Sequence, residues 1–176
     1  MAADSRLFLE CQRVFDANQW QCQRVPGREV LEAAFEAHHG RIGLILQCHS
    51  ELSAVTVVSE GLITLPGAAW RAGLCELVAR ANLQLTLGNF EFEWETMRPF
   101  FRISNVFENG RPQAAVVSGM THTAITEMDR FIAMVGELAK CPEEKLGTFD
   151  AGRLLRREDL LPPVDGNPRA PRPLYE

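Results

Sequence analysis

Within twelve residues the chain carries His38, His39, Cys48 and His49, imidazole and thiol groups of the kind that hold zinc. Their spacing argues against a site. His38-His39 and Cys48-His49 are adjacent pairs, and strand alternation sends neighbouring side chains to opposite faces, so at best two ligands converge. The expectation is no metal and no cofactor. Cys75, in a helical stretch beside Leu74, and Cys11, on an apolar helical stripe, have no histidine near them in sequence, so both read as small buried hydrophobes rather than nucleophiles. Glu91, Glu93 and Glu95 would stand about 6–7 Å apart on one strand face, a spacing open to acid/base work or cation binding, with a solvated face balanced by arginine as the simpler account. Asn82, late in a helix, is suited to hydrogen-bonding exposed backbone or a neighbouring strand. Asp129-Arg130 can orient a helix on the sheet or meet a partner. The chain contains no GxxxxGK[ST], GxGxxG after a strand, HExxH, GxSxG or EF-hand loop, which lowers the expectation of an enzyme.

The elements that would position these residues follow from periodicity. Leu7, Cys11, Val14 and Phe15 form the stripe of an amphipathic helix over Ser5–Asn18. Short strands follow at Trp20–Val25 and Val30–Phe35, the first ended by Pro26-Gly27 and the second by the His38-His39-Gly40 turn. Arg41–Cys48 and Ala54–Ser59, rich in Ile, Leu and Val, read as an antiparallel pair turning at Glu51-Leu52-Ser53. Trp70, Leu74, Leu77, Ala81 and Leu85 mark a second helix that stops at Gly88. Asn89–Trp94 alternates, with Phe90, Phe92 and Trp94 inward. After a turn at Met97-Arg98-Pro99, Phe101, Ile103 and Phe107 continue the inward side while Phe100, Arg102 and Ser104 point outward, so the glutamates face Arg98 and Arg102. A third helix runs from about Thr121 to Lys140, with Ser118, Thr121 and Thr123 as candidate caps. The order α-β-β-β-(β)-α-β-β-α predicts an α+β domain, an antiparallel sheet of about five strands packed by helices. Its bounds are 1–140. Residues 141–176, with six of the ten prolines, read as a tail carrying one short helical turn near Leu154–Arg157.

Composition sets outer limits. With 176 residues, 46% hydrophobic and 23% charged, the chain suits one domain. No continuous apolar core follows a basic start in Met1–Phe15, and the longest apolar runs fall far short of the roughly 20 residues of a membrane span. Five cysteines without regular spacing suit a reducing compartment. A cytoplasmic location and no membrane partner are therefore expected. The formal net charge of −5 disfavours nucleic acid, which requires a concentrated basic surface.

The run Asn82-Leu83-Gln84-Leu85-Thr86-Leu87-Gly88-Asn89-Phe90-Glu91, the Phe100-Phe101-Arg102-Ile103 strand and the helix bearing Met128-Asp129-Arg130-Phe131 resemble the YbjN-like family of putative bacterial sensory transduction regulators. That family shares the fold of type III secretion chaperones. The resemblance covers about residues 5–140. It departs from the family pattern at the Met97-Arg98-Pro99 turn and in the tail. It implies a secretion-chaperone-like fold, with Asn82, Gly88 and Phe90 as structural motif residues, and a non-enzymatic, often homodimeric, protein-binding module. Trp20, Phe100 and Val106, read as exposed, are candidate partner-binding anchors, with Arg102, Asp129 and Arg130 as candidate polar contacts. Two alternatives are a small-ligand sensor with its site near Asn82, Arg102 and Asp129, and a metal-dependent enzyme resting on the histidine–cysteine cluster.

Overall fold

The computed structural model describes residues 4–161 and the backbone of 172–173. Helix α1 (Arg6–Ala17) starts at Ser5, whose hydroxyl accepts the Phe8 N–H at 3.1 Å, and buries Leu7, Phe8, Cys11, Val14 and Phe15 along one stripe. Strands β1 (Cys22–Arg24), β2 (Val30–Glu36), β3 (Arg41–His49) and β4 (Ala54–Gly61) follow, then α2 (Arg71–Asn82), β5 (Asn89–Phe92), β6 (Pro99–Val106) and α3 (Ala114–Lys140). A four-residue helix α4 (Ala151–Leu154) and the two-residue strand β7 (Arg172–Pro173) complete the described elements. The sheet is antiparallel, in the order β1-β2-β3-β4-β6-β5, with β7 added to β2. The α+β class and the helix-covered antiparallel sheet read from the sequence are thus those of the structure.

Strand alternation divides the sheet. Ile42, Leu44, Leu46 and Cys48 of β3, Val55, Val57 and Ser59 of β4, and Phe101 and Ile103 of β6 lie on the face that packs against the helices, and all are buried. Helix α3 lies across β3, β4 and β6. Its contact with β4 is close: a Cβ on Gly61 would come within 2.1 Å of Ile132 Cδ1, so a larger residue there would have to displace the Ile132 side chain. Ser59, fully buried, donates its hydroxyl to the Ala124 carbonyl at 2.6 Å and so satisfies a polar group between the two layers. The far end of the sheet is tied to α1 by Glu29, whose carboxylate accepts the Ser5 N–H and hydroxyl, at 2.5 and 2.9 Å, and the Ser50 hydroxyl.

Several boundaries differ from the sequence reading, each for a local reason. Helix α3 begins at Ala114, not near Thr121, because Ala114, Ala115 and Val116 follow Pro112 without a breaker; Thr121 is no cap but donates its hydroxyl back to the Val117 carbonyl at 3.0 Å. Helix α2 ends at Asn82 rather than Gly88, and Gly88 (φ +72°) belongs to the turn into β5. Strand β5 stops at Phe92, because the main chain reverses through Met97 in the left-handed region (φ 54°); Met97 is buried and Trp94 is left 55% exposed, not inward. Beyond α3 the chain continues to pack: Ala151, Leu154 and Leu155 are buried in the same core as the helices, and α4 lies on α2.

Trp20 requires the largest correction. Helix α1 ends in a Schellman turn, with Gln19 N–H on the Asp16 carbonyl (3.0 Å), Trp20 N–H on the Phe15 carbonyl (2.9 Å), and Gln19 at φ 58° in the position usually given to glycine. That turn throws Trp20 back onto Phe15, ring centroids 5.3 Å apart edge to face, with Phe35 and His122 completing its surroundings. At 4% exposure Trp20 is a core residue and not an exposed anchor.

Candidate functional site

The face of the sheet turned away from the helices carries a different set of residues. Ile45 of β3 stands opposite Val58 of β4, which stands opposite Arg102 of β6. One row further, Glu60 is flanked by Phe100, and Phe100 by Glu91 of β5. In the other direction Thr56 pairs with Ser104, their hydroxyls 2.9 Å apart, and Ala54 with Val106. No described helix packs on this side. Val106 is 70% exposed and Ile45 37%, while Val58 and Phe100 are half-buried.

Fixed charges border these apolar groups. Arg102 donates from Nε to Glu91 Oε1 at 2.9 Å and lies 5.5 Å over the Phe100 ring, and Arg98 donates to Glu60 Oε2 at 2.6 Å. Of the two arginines expected to meet the β5 glutamates, Arg102 does so and Arg98 turns to β4 instead. The three glutamates do not share a strand face. Glu91 lies on the sheet, whereas Glu93, bonded by the Thr96 hydroxyl at 2.6 Å, and Glu95 are exposed in the turn after β5. No paired-carboxylate geometry results.

The remaining candidates separate. Asn82 spends its carboxamide on Phe90, accepting the Phe90 N–H at 2.7 Å and donating to the Phe90 carbonyl at 3.0 Å. Because Glu93 N–H bonds the Arg98 carbonyl (3.0 Å), Phe90 points its main-chain groups away from β6, toward the open edge of β5. Asn82 therefore occupies the place of a neighbouring strand. Asp129, 3% exposed, accepts the His39 N–H at 2.6 Å and lies 3.2 Å from His39 Nδ1, which fixes the β2–β3 turn to α3. The partner found for Asp129, His39, was outside the sequence reading, since nothing local pairs residues ninety positions apart. Arg130 Nε is buried and makes no hydrogen bond among the described residues. Beside it burial raises the Glu127 carboxyl above its ordinary range, against the pull of the Arg130 charge.

Asn82, Arg102 and Asp129 thus do not converge: Arg102 is on the outer face, and the other two are each consumed by a backbone partner. The cavity nearest to them, bounded by Gln84, Phe90, Glu127 and Arg130 among others, holds about 10 Å³, which is at the limit for one water molecule (about 10–15 Å³) and too small for a metabolite. A wider open groove of about 620 Å³ runs past Gln12, Gln19 and Gln21 at the β1 edge.

The histidine–cysteine cluster also disperses. His38 and His39 lie in a bend, rings edge to face at 4.6 Å, where strand alternation does not apply, and Cys48 turns inward to Cys11. Hydrogen bonding to Cys11, then burial, pushes the Cys48 thiol far above its ordinary range, so it is not a thiolate at neutral pH. Among the described residues no group of three or more His, Cys, Asp or Glu side chains is placed to hold a metal ion, and no described helix is long and apolar enough to cross a membrane.

No protein-family model matches the chain, and no curated protein matches it significantly. The outer face stands on its geometry. Ile45 and Val58 are the members of it that the sequence reading missed; the signal for Ile45 was the clean alternation of β3, in which Ile42, Leu44 and Leu46 face in and Ile45 breaks the otherwise polar outward set, and for Val58 its place between the inward Val57 and Ser59.

Proposed function

We propose that the chain is a non-enzymatic protein-binding module, chaperone-like or a regulatory adaptor, acting in the cytoplasm and docking protein through the outer face of its sheet. One observation carries this reading: Ile45 and Val58, with Phe100 on the diagonal, form apolar relief on a face that no described helix covers, bordered by the Glu91–Arg102 and Glu60–Arg98 pairs, and Val106 stands exposed beyond the Thr56–Ser104 row. An apolar centre within a polar border is the anatomy of a recognition patch, and partly exposed aromatic and β-branched groups on a rigid sheet bind at low ordering cost. The likeness of the Asn82–Glu91, Phe100–Ile103 and Met128–Phe131 runs to the YbjN-like family supports the same reading, and the cavity of about 10 Å³ beside Phe90 and Arg130 is too small for the ligand that a sensor would hold near Asn82 and Asp129. Self-association through the same face, giving a homodimer, is part of the proposal. The net charge of −5 favours a protein occupant over nucleic acid.

The test uses the intact chain with a photo-reactive side chain at 106 and, as control, at Leu9, which is exposed on α1 away from the sheet face. Cross-linking to one defined protein, or to a second copy, from position 106 and not from position 9 is expected, with loss on adding Phe100→Asp. Equal labelling from both positions, or none from 106, overturns the reading.

A further inference from the structure

Strand β2 presents alternate residues to its two neighbours. Cys48 N–H bonds the Glu29 carbonyl (2.9 Å) and Ala37 N–H the Gly40 carbonyl (3.0 Å), so Leu31, Ala33 and Phe35 turn their main-chain groups to β3. Val25 N–H bonds the Val30 carbonyl (3.1 Å), so Val30, Glu32, Ala34 and Glu36 turn theirs toward β1. Yet β1 pairs only as far as Ala33. Upstream of β1 the chain has left the sheet, because the Schellman turn at Gln19 commits Trp20 to the core. The edge-facing groups of Ala34 and Glu36 are therefore out of reach of β1.

Residues 172 and 173 lie beside that stretch, antiparallel, with Arg172 opposite Glu36 and Pro173 opposite Phe35. This register suits the two residue types. Arg172, which has an N–H, falls at the position that faces β2, whereas Pro173, which has none, falls where an N–H would point away from the sheet. A proline there leaves no donor to template a further strand, so the segment both fills the edge and ends it.

We infer that the Ala34–Glu36 edge of β2 is a strand-accepting site whose resident ligand is the chain's own C-terminal segment around Arg172. Held by one residue pair in hydrogen-bonding register, this ligand is displaceable, and its departure opens the edge to another extended segment that offers a main-chain donor opposite Glu36. The inference does not depend on the outer face having a partner, since the site, the occupant and the readout all belong to one chain.

Amide hydrogen exchange on the full-length protein tests it. In Arg172→Pro the donor facing β2 is lost while the folded core is untouched. Glu36 N–H should exchange at least tenfold faster than in the unaltered chain, with Ala33 N–H, which faces β3, unchanged. A synthetic peptide of residues 166–176 at millimolar concentration should restore slow exchange at Glu36, and the same peptide N-methylated at Arg172 should not. Unchanged Glu36 exchange in Arg172→Pro overturns the assignment of the occupant. Accelerated exchange that the peptide fails to restore overturns the strand-accepting site.

Discussion

Asn82 substitutes for a missing strand, and its removal has a calculable cost. In Asn82→Ala the Phe90 N–H and carbonyl lose partners at 2.7 and 3.0 Å. A net hydrogen bond contributes about 0.5–1.5 kcal/mol, so the pair contributes about 2 kcal/mol. Alanine is the better helix former by up to about 0.7 kcal/mol at the last residue of α2, which offsets part of the loss. The expected net destabilisation is about 1–2 kcal/mol, or a fall in Tm of about 3–6 °C for a chain of this size. Urea unfolding should show a lower midpoint at unchanged slope. Asn82→Asp refines the test. Its carboxylate keeps the acceptor for the Phe90 N–H but opposes the Phe90 carbonyl, so at neutral pH it should be at least as destabilising as Asn82→Ala. On acidification the protonated acid regains a donor, and part of the deficit should close. If Asn82→Ala moves stability by less than about 0.5 kcal/mol, the ordinary scatter of surface substitutions, or if Asn82→Asp equals the unaltered chain at pH 7, the strand-substitute role is refuted.

The other predictions address separate parts of the fold. Gly88→Ala should cost at least about 2–3 kcal/mol, combining about 1–2 kcal/mol for a side chain in the left-handed region with overpacking, since its Cβ would meet Phe101 Cζ at 2.4 Å and the Arg102 carbonyl oxygen at 2.8 Å; a urea midpoint equal to wild type would contradict the close approach. Trp20→Ala should cost about 3–5 kcal/mol as a buried large-to-small change, whereas Val106→Asp, at a 70% exposed position, should leave Tm nearly unchanged. Glu29 and Glu127 should give opposite pH slopes. Burial would raise Glu29, but the hydrogen bonds from Ser50 and Ser5 prevail and hold it below its ordinary value of 4.5, so the stability it contributes is present above that value and is lost as pH falls through its folded-state pKa; Glu29→Gln should flatten that acid limb. Burial raises Glu127, so its contribution is present below the ordinary carboxylate value and is lost as pH rises through the folded-state pKa; Glu127→Gln should therefore raise Tm at pH 7, and an unchanged or lower Tm would show that the carboxylate is stabilised there.

The amino-acid sequence by itself determined the elements whose periodicity is strong. The stripe of α1, the Ile-, Leu- and Val-rich runs of β3 and β4, and the inward set Phe90, Phe101 and Ile103 were legible because each is dictated by which residues avoid water, a property of residue type and spacing alone. The class of the fold followed from their order. Tertiary structure decided what depends on residues far apart in the chain. Trp20 and Trp94 exchanged their expected places because a Schellman turn at Gln19 and a left-handed Met97 redirect the backbone, and neither position carries the glycine that would have announced it. Asp129 found His39, Glu29 found Ser5, and Cys48 found Cys11, each pairing set by packing of α1 or α3 against the sheet, while the β2–β3 pairing brought Ser50 to Glu29. The outer face follows the same logic. The sequence states that Phe100 and Val106 alternate with inward residues, but whether a helix covers the far side of a sheet is settled only by where the helices pack, and the described ones pack on the other.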